Sequence, residues 1–377
     1  MRVLVVGTVS SSIFGFRKHF LEELVSQGHE VFIYTTDLTP DIELRAKNEI
    51  GVIARKYSMK RAGVNPFDDI KAFFFLAKEM RMLAPDIVFS YFAKPVIWGT
   101  LAAFFSGVRK RYGMLEGLGY YFIDDPRNVA GKKKLIRMMQ VLLFKISIPL
   151  LDRLIVLNKD DKKDIQVTYK IKCKNVSVLG GIGVDLKEYP FSLPVEYPVH
   201  FIFIGRLLVE KGINEFLDAA EYLQEVNDDV KFSVFGEVDP ENPGGVNLDR
   251  LRKLQDKGVI DYPGAVNDIP KRLAESSVFV LPSYREGMPR STQEAMSSGR
   301  AIITTDVPGC RDSISNEVNG LIVPPRDAGS LIKAMNRFVS DPCLVTKMGK
   351  ESRRLAEEKY DKDVVNKKLL SLVGFSR

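Results

Sequence analysis

Short apolar runs closed by a turn residue recur along this chain, with longer amphipathic stretches between them. "RVLVVG" opens the chain and ends in Gly7. A loop containing Gly and Ser follows, then "FRKHFLEELVSQG" closed by Gly28, then "EVFIYTT". This strand–helix–strand opening predicts a parallel sheet. The pattern continues through "DIVFSYF", "KRYGML" and "RLIVLN", with helical patterns between some of them. It then restarts: "HFIFIGR", a helix over 212–224, "VKFSVFG", "VFVLPS", a helix over 289–298, and "RAIITTD". The class expected is α/β, with two Rossmann-like domains in tandem facing a central cleft. No internal repeat of about 20 to 50 residues is evident.

A length of 377 residues suits two domains of about 150 to 200 residues each. With 45% apolar residues, two cores can be filled. The join lies near "GVDLKEYPFSLPVEYPVH" (183–200), which carries three prolines. The expected domains are therefore 1–190 and 191–358, followed by a C-terminal segment from about 359 to 377.

The most informative stretch is "VFVLPSYREGMPRSTQEAMSSG" (278–299). It reads as a strand, a loop at its carboxyl end and a helix, and ligands of open α/β sheets sit outside the carboxyl ends of strands. Pro289 suits the first helical turn, where its missing N–H costs nothing, and Gly299 suits the stop. Glu286, Gly287 and Met288 then lie on the loop, and Glu294 lies on the helix. Free N–H groups at a helix start favour an anion such as phosphate. Carboxylates beside it would repel phosphate unless they serve sugar hydroxyls. A nucleotide sugar supplies both groups: Glu294 can accept two hydrogen bonds from a ribose diol, and Glu286 can accept from the transferred sugar. An isolated pair of glutamates at this spacing would read as solvated surface; the strand, Gly287, Pro289 and the small-residue helix end argue otherwise.

The second constellation is "FIGRLLVEKGINEFLDAA" (203–220), a strand ending at Gly205 with Arg206 and Lys211 ahead of a helix. Two cations there can neutralise a diphosphate leaving group as a metal would elsewhere. No D-x-D triplet of the kind that holds a divalent ion on a nucleotide sugar is read, so neither a metal nor any other cofactor is expected.

With these motifs the second half resembles glycosyltransferase family 4, the retaining enzymes of GT-B fold. The residues carrying the resemblance are "GRLLVEKG" (205–212), "FGEVD" (235–239), "YPGAVNDIP" (262–270), "VLPSYREGMPRSTQEAMSSGRAIITTDVPGCRD" (280–312) and "NGLIVPP" (319–325). The resemblance implies a UDP- or GDP-sugar donor, UDP being favoured, bound by the second domain. It implies Arg206 and Lys211 on the diphosphate, Glu286 on the donor sugar, Glu294 on the ribose, and backbone around Gly264, Ala265 and Val266 holding the base. It also implies that the last helix, roughly 359–373, returns to the first domain.

The first half is less diagnostic. "MLEGLGYYFID" (114–124) resembles a segment of bacterial transferases that extend sugars on undecaprenyl diphosphate, and "GTVSSSIFGFRKHF" (7–20), with Gly15, resembles their first glycine loop. Many family members carry a histidine in the first domain near the sugar. Here His19, His29 and His200 all fall elsewhere. Glu116, followed by Gly117, is the substitute polar group facing donor sugar or acceptor; equally, it is a buried carboxylate capping the following turn. Lys94, at a strand end, meets an acceptor phosphate or is a snorkelling surface lysine.

Charge separates the halves. Residues 1–190 hold 30 Lys+Arg and 20 Asp+Glu, net +10, against −3 for the remainder, within a total of +7. The partners of the first half are expected to be anionic. Nucleic acid is not expected, since no aromatic RNP-like strand or C-x-x-C pair is present. "GKKKLIRMMQVLLFKISIPLL" (131–151) is too charged to span a membrane and fits an interfacial helix, or else a helix packed on its own sheet. Packing on the sheet is favoured for "FDDIKAFFFLAKEMRML" (67–83). Three well-separated cysteines, Cys173, Cys310 and Cys343, read as reduced thiols. The N-terminal apolar run is too short for a signal peptide, and no run approaches the roughly 18 apolar residues of a span.

The expectation is a metal-independent retaining hexosyl- or N-acetylhexosaminyltransferase, cytoplasmic and peripheral on the inner face of the cell membrane. It would move a sugar from a nucleotide donor to a polyprenyl-diphosphate-linked sugar in bacterial surface glycan or glycoprotein glycan assembly. The alternatives are a UDP-sugar epimerase of the same architecture and a non-catalytic nucleotide-sugar-binding partner of a membrane complex.

Overall fold

The computed structural model describes residues 1–59, 66–123, 131–238, 244–246 and 248–375. Asp124 and Asp239, the last residues of two quoted motifs, lie outside them. The chain divides into two compact units, Met1–Ile182 with Val365–Arg377, and Gly183–Val364.

The first unit is built on a parallel sheet of β1 (Arg2–Val6), β2 (Glu30–Thr35), β3 (Ile53–Lys56), β4 (Ile87–Tyr91), β5 (Lys110–Leu115), β6 (Arg153–Val156) and β7 (Val176–Val178). The strand order is β3-β2-β1-β4-β5-β6-β7. Its helices are α1 (Ser11–Phe14), α2 (Lys18–Ser26), α3 (Pro40–Glu49), α4 (Pro66–Leu83), α5 (Ala93–Phe105), α6 (Gly131–Ser147) and α7 (Lys159–Lys163). Val3 to Val6 are completely buried, as a central parallel strand covered on both faces requires.

The second unit repeats the plan with β8 (Val199–Ile204), β9 (Val230–Phe235), β10 (Asp261–Gly264), β11 (Val278–Leu281), β12 (Ala301–Thr305) and β13 (Gly320–Val323), in the order β10-β9-β8-β11-β12-β13. All neighbours are parallel. Its helices are α8 (Ile213–Val226), α9 (Leu248–Asp256), α10 (Ile269–Ala274), α11 (Arg290–Ser297), α12 (Ala328–Ser340) and α13 (Cys343–Lys359). Phe201 stacks on Phe232 at 5.5 Å, and Phe203 meets Phe216 at 5.7 Å, which fixes α8 on the sheet. The final helix, α14 (Lys362–Leu372), begins in the second unit, and from Val365 onward it belongs to the first. There Asn366 donates to the His19 carbonyl and Lys368 to that of Leu179.

Four strands escaped the sequence reading: β3, β7, β10 and β13. All are sheet edges. An edge strand can be covered on fewer sides and then carries no continuous apolar run: β3 buries only Ala54 and β10 buries none of its residues, whereas β13 (GLIV) is apolar and mostly buried but only four residues long. The motif helix also starts later than expected. Pro289 is not in its first turn but immediately ahead of it, with φ −65° and ψ 123°, and Arg290 is the first helical residue.

Each sheet reverses its strand order at one place, β1/β4 in the first unit and β8/β11 in the second. Loops leaving the carboxyl ends of these central strands diverge and leave a crevice. The segments after β8 and β11 are the two motifs singled out in the second half.

Candidate active site

In the second unit, β8 and β11 are direct neighbours, with Phe201 opposite Val278 and Ile202 opposite Phe279. Their continuations therefore emerge side by side. After β8 the chain makes a short turn over Val209–Lys211 and enters α8 through Gly212 at φ +74°. A Cβ at Gly212 would lie 2.1 Å from the Pro282 carbonyl oxygen, so only glycine lets the two loops approach this closely. The result is that Lys211 Nζ donates to Glu286 Oε1 at 2.5 Å, and Ser283 Oγ donates to the same oxygen at 2.7 Å. The two side chains are 20% and 12% exposed. Arg206, at the start of the turn, is exposed.

The Glu286 loop is fixed from behind. Its N–H donates to the Pro308 carbonyl, and a Cβ on Gly309, at φ +77°, would lie 2.3 Å from the Glu286 carbonyl oxygen. Tyr284 is held by its N–H on the Glu210 carbonyl and its hydroxyl on Glu215, and Arg326 lies over its ring at 4.2 Å. Burial pushes the Glu210 carboxyl above its ordinary range. The nearby Cys310 thiol is pushed up to about 12, again by burial, so it is an inert core group.

Glu294, on α11, is 9% exposed and ion-paired to Arg290 one turn earlier at 2.8 Å. Burial raises its pKa; Arg290 and a hydrogen bond from Tyr189 pull the other way. Gln293 beside it is wholly buried and accepts from the Gly183 N–H. Met288 is buried, with the Tyr360 hydroxyl 3.9 Å from its sulfur. Gly287 lies in the bend between Glu286 and Met288. Gly205 donates to the Phe235 carbonyl, and Gly236 donates to that of Gly264, linking the ends of β8, β9 and β10. Gly264 has φ +88°, Ala265 is exposed, and Val266 is half-buried against the core.

In the first unit, Glu116 follows β5 and is ion-paired with Arg17, from the loop between α1 and α2. Arg17 is 1% exposed and its guanidinium lies over the rings of Phe16, Phe89 and Tyr91 at 5.0, 5.7 and 4.8 Å. Glu116 is thus a clamped carboxylate, and its partner lies 99 residues away in sequence. Gly117 follows at φ +122°. Gly15 closes α1, its N–H on the Ser11 carbonyl. Lys94 is not a snorkelling lysine: it donates to Asp69 of α4 at 2.7 Å and is 19% exposed. The histidines are structurally engaged: His19 with Glu22, His29 against Phe375, and His200 with Ser233 and the Glu275 carbonyl.

Comparison with known proteins matches residues 187–356 to the family of glycosyl transferases group 1 and residues 2–147 to glycosyl transferase 4-like domains. Along 99% of this chain and 98% of the relative, the sequence is 30% identical to N,N'-diacetylbacillosaminyl-diphospho-undecaprenol alpha-1,3-N-acetylgalactosaminyltransferase of Campylobacter jejuni. The chain is a group 1 glycosyltransferase. It is also 29% identical, over 73% of its length and 72% of the relative's, to UDP-Gal:alpha-D-GlcNAc-diphosphoundecaprenol alpha-1,3-galactosyltransferase of Escherichia coli. Sucrose-phosphate synthase from Thermosynechococcus elongatus superimposes with a TM-score of 0.80 at 16% identity, over 99% of this chain and 98% of that one. The glycosyltransferase has the two parallel-sheet, Rossmann-like units of the GT-B fold.

Several residues that shape the candidate site were missed in the sequence. Ser283 and Gly309 lie inside a quoted motif but were given no role. Arg290 carries the familiar four-residue helical spacing to Glu294 and could have been found by it. Tyr189 and Arg17 carry no local signal, because their partners are distant in sequence. One triplet does have the D-x-D spelling, Asp361-Lys362-Asp363, and it is committed elsewhere: Asp361 accepts from the Asp363 N–H at the start of α14, and Lys362 pairs with Asp185. Among the described residues no cluster of three or more His, Cys, Asp or Glu side chains could hold a metal ion.

Proposed function

We propose that this glycosyltransferase moves a hexose or N-acetylhexosamine from a UDP-sugar to a polyprenyl-diphosphate-linked sugar, retaining anomeric configuration and needing no metal. The observation that carries the reading is the Lys211–Glu286 pair, with Arg206 exposed beside it at the β8/β11 reversal. The names of the Campylobacter and Escherichia relatives supply the class of acceptor, and the latter's supplies the UDP donor.

In this reading the second unit takes the donor. Arg206 and Lys211 receive the diphosphate, which draws Lys211 from Glu286 and frees that carboxylate for the hydroxyls of the sugar. Glu294 takes the ribose, and the backbone of Gly264, Ala265 and Val266 takes the base. Gly287, Met288 and Pro289 shape the loop. The acceptor oxygen attacks the anomeric carbon on the face the nucleotide leaves. The carbon–oxygen bond to the diphosphate breaks as the new glycosidic bond forms, and the departing phosphate oxygen takes the acceptor proton. Two cations beside the leaving group stabilise its developing charge in place of a divalent ion. The first unit takes the acceptor through Gly15, Lys94, Glu116 and Gly117.

A lipid-linked acceptor brings the first unit to a membrane. Among the described residues no helix is long and apolar enough to cross one. On α6, however, Leu135, Met138, Leu142 and Ile146 lie along one face at 50–62% exposure, with Lys132, Lys134 and Lys145 also exposed and no acidic residue in the helix. This composition suits a peripheral interfacial helix.

The test is transfer from a panel of nucleotide sugars to a polyprenyl-diphosphate-linked sugar in excess chelator. Full turnover with one UDP-sugar is expected. Loss of activity restored by magnesium or manganese would remove the cation-pair account, and donor consumption without any acceptor would point to the epimerase.

A further inference from the structure

The sequence reading assigned 67–83 to packing against its own sheet. The inner face of α4 does this: Ala72, Leu76, Ala77 and Met80 are buried. The outer face does something else. Phe67 and Phe74 are 72% and 65% exposed, and Ile70 and Met82 are exposed beside them. The cations Lys71, Lys78 and Arg81 are all exposed among these residues. The acids of α4 are less exposed: Asp69 is buried in its pair with Lys94, Glu79 accepts from Arg55 and Tyr34, and Asp68 is half-buried. At 100° per residue, Phe67, Lys71, Phe74 and Lys78 fall within one narrow stripe. The exposed face of this helix is therefore aromatic and cationic, with no exposed carboxylate.

The stripe does not end with the helix. Phe73 meets Phe74 at 5.1 Å and Phe105 of α5 at 6.0 Å. Phe105 and its neighbour Phe104 are themselves exposed, and Arg109 and Lys110 are exposed just beyond. α5 packs against α4 on one side and α6 on the other. The apolar and cationic outer face of α6 thus lies in the same helical layer.

We infer that the outer face of α4, with the end of α5, is a docking surface for an anionic phospholipid bilayer. The charge selects the partner. A self-complementary dimer through this face would set Lys71, Lys78 and Arg81 against their own copies. An anionic headgroup layer neutralises the same cations and gives the phenylalanine rings an apolar boundary to enter. This extends the membrane reading of α6 to a second, separately testable element, and two elements in one layer hold the first unit in one orientation where a single helix could roll.

The test uses the full chain and vesicles of phosphatidylglycerol with phosphatidylethanolamine, against phosphatidylcholine alone. Trp98 is the only tryptophan. Phe74→Trp on a Trp98→Phe background therefore gives one fluorophore on the proposed surface. Quenching by lipids brominated on their acyl chains is expected with the anionic vesicles. The double variant F67S/F74S should bind them at least about tenfold more weakly at equal salt, since affinity scales with buried apolar area. It should keep its rate with a short water-soluble acceptor. Vesicle binding without quenching, with F67S/F74S bound as tightly as the unmodified chain, overturns the α4 surface and leaves α6 as the contact. No binding by the unmodified chain overturns both. A concentration-dependent dimer that F67S/F74S dissolves assigns the face to a second copy and overturns the lipid proposal.

Discussion

Each unit holds a candidate catalytic carboxylate in an ion pair with a cation, but the two pairs are built differently. In the second unit Lys211 and Glu286 emerge from adjacent central strands and are 20% and 12% exposed. In the first, Glu116 is held by Arg17, which is 1% exposed and enclosed by three aromatic rings. A shallow pair can be exchanged for a ligand at modest cost. A buried guanidinium cannot leave without stranding a desolvated charge. A carboxylate–cation pair is thus read as a replaceable contact in one unit, where the cation is a lysine ammonium, and as a fixed support in the other, where it is a buried guanidinium.

The sharpest way to break this comparison is Arg17→Met. Removing one partner of a buried pair costs roughly 3 to 5 kcal/mol, so the thermal unfolding midpoint should fall by several degrees. Glu116→Gln, which keeps a hydrogen-bonding side chain, should cost less. A midpoint unchanged by Arg17→Met would show that the pair is not a structural support.

Lys211→Ala should behave in the opposite way. Turnover should drop about a hundredfold, as expected when one oriented donor to a developing negative charge is lost, while the midpoint should fall by less than it does for Arg17→Met, since Lys211 is 20% exposed and Arg17 only 1%. Single-turnover kinetics beside calorimetric unfolding reads both quantities. A variant that unfolds early yet transfers normally would reverse the assignment of exchangeable and fixed pairs.

The smallest effect concerns Glu294. Burial raises its pKa above the ordinary glutamate value of 4.5. The folded state therefore holds this proton more tightly than the unfolded chain. The group's contribution to stability is full below about pH 4.5 and is lost as pH rises through the raised value. The ribose recognition proposed for Glu294 runs the other way, since it would use the ionised carboxylate. UDP affinity should weaken as pH is lowered, beginning above the usual carboxylate range. Titration calorimetry of UDP across pH on the native chain and on Glu294→Gln tests this; an equal slope in both would exclude Glu294 as the group responsible.

Much of this molecule was legible in its sequence because its signals are local. Buried central strands such as Val3–Val6 and Val278–Leu281 must be apolar on both faces, and that leaves an unmistakable run. Gly205, Arg206, Lys211, Glu286 and Glu294 stand out as candidates because a strand end, a loop and a helix start are contiguous in the chain. The edge strands β3, β7 and β10 were not found, because partial coverage leaves no such run, and β13 was not found although its four residues are apolar and mostly buried. Pro289 was misplaced by one position, since helix boundaries depend on ψ, which proline does not fix.

The sequence by itself determined the alternation of strands and helices, the two-unit plan, and the residue types available at each strand end. Only the tertiary structure decided which of them meet. Lys211 reaches Glu286 because β8 and β11 are neighbours at a strand-order reversal, a long-range pairing no local pattern encodes. Arg17 reaches Glu116 for the same kind of reason. The phenylalanines of α4 are divided between core and surface by the single stripe that faces α5 and the sheet. Periodicity shows that a helix has faces, but only the packed neighbours determine which face is covered and which is left to meet a partner.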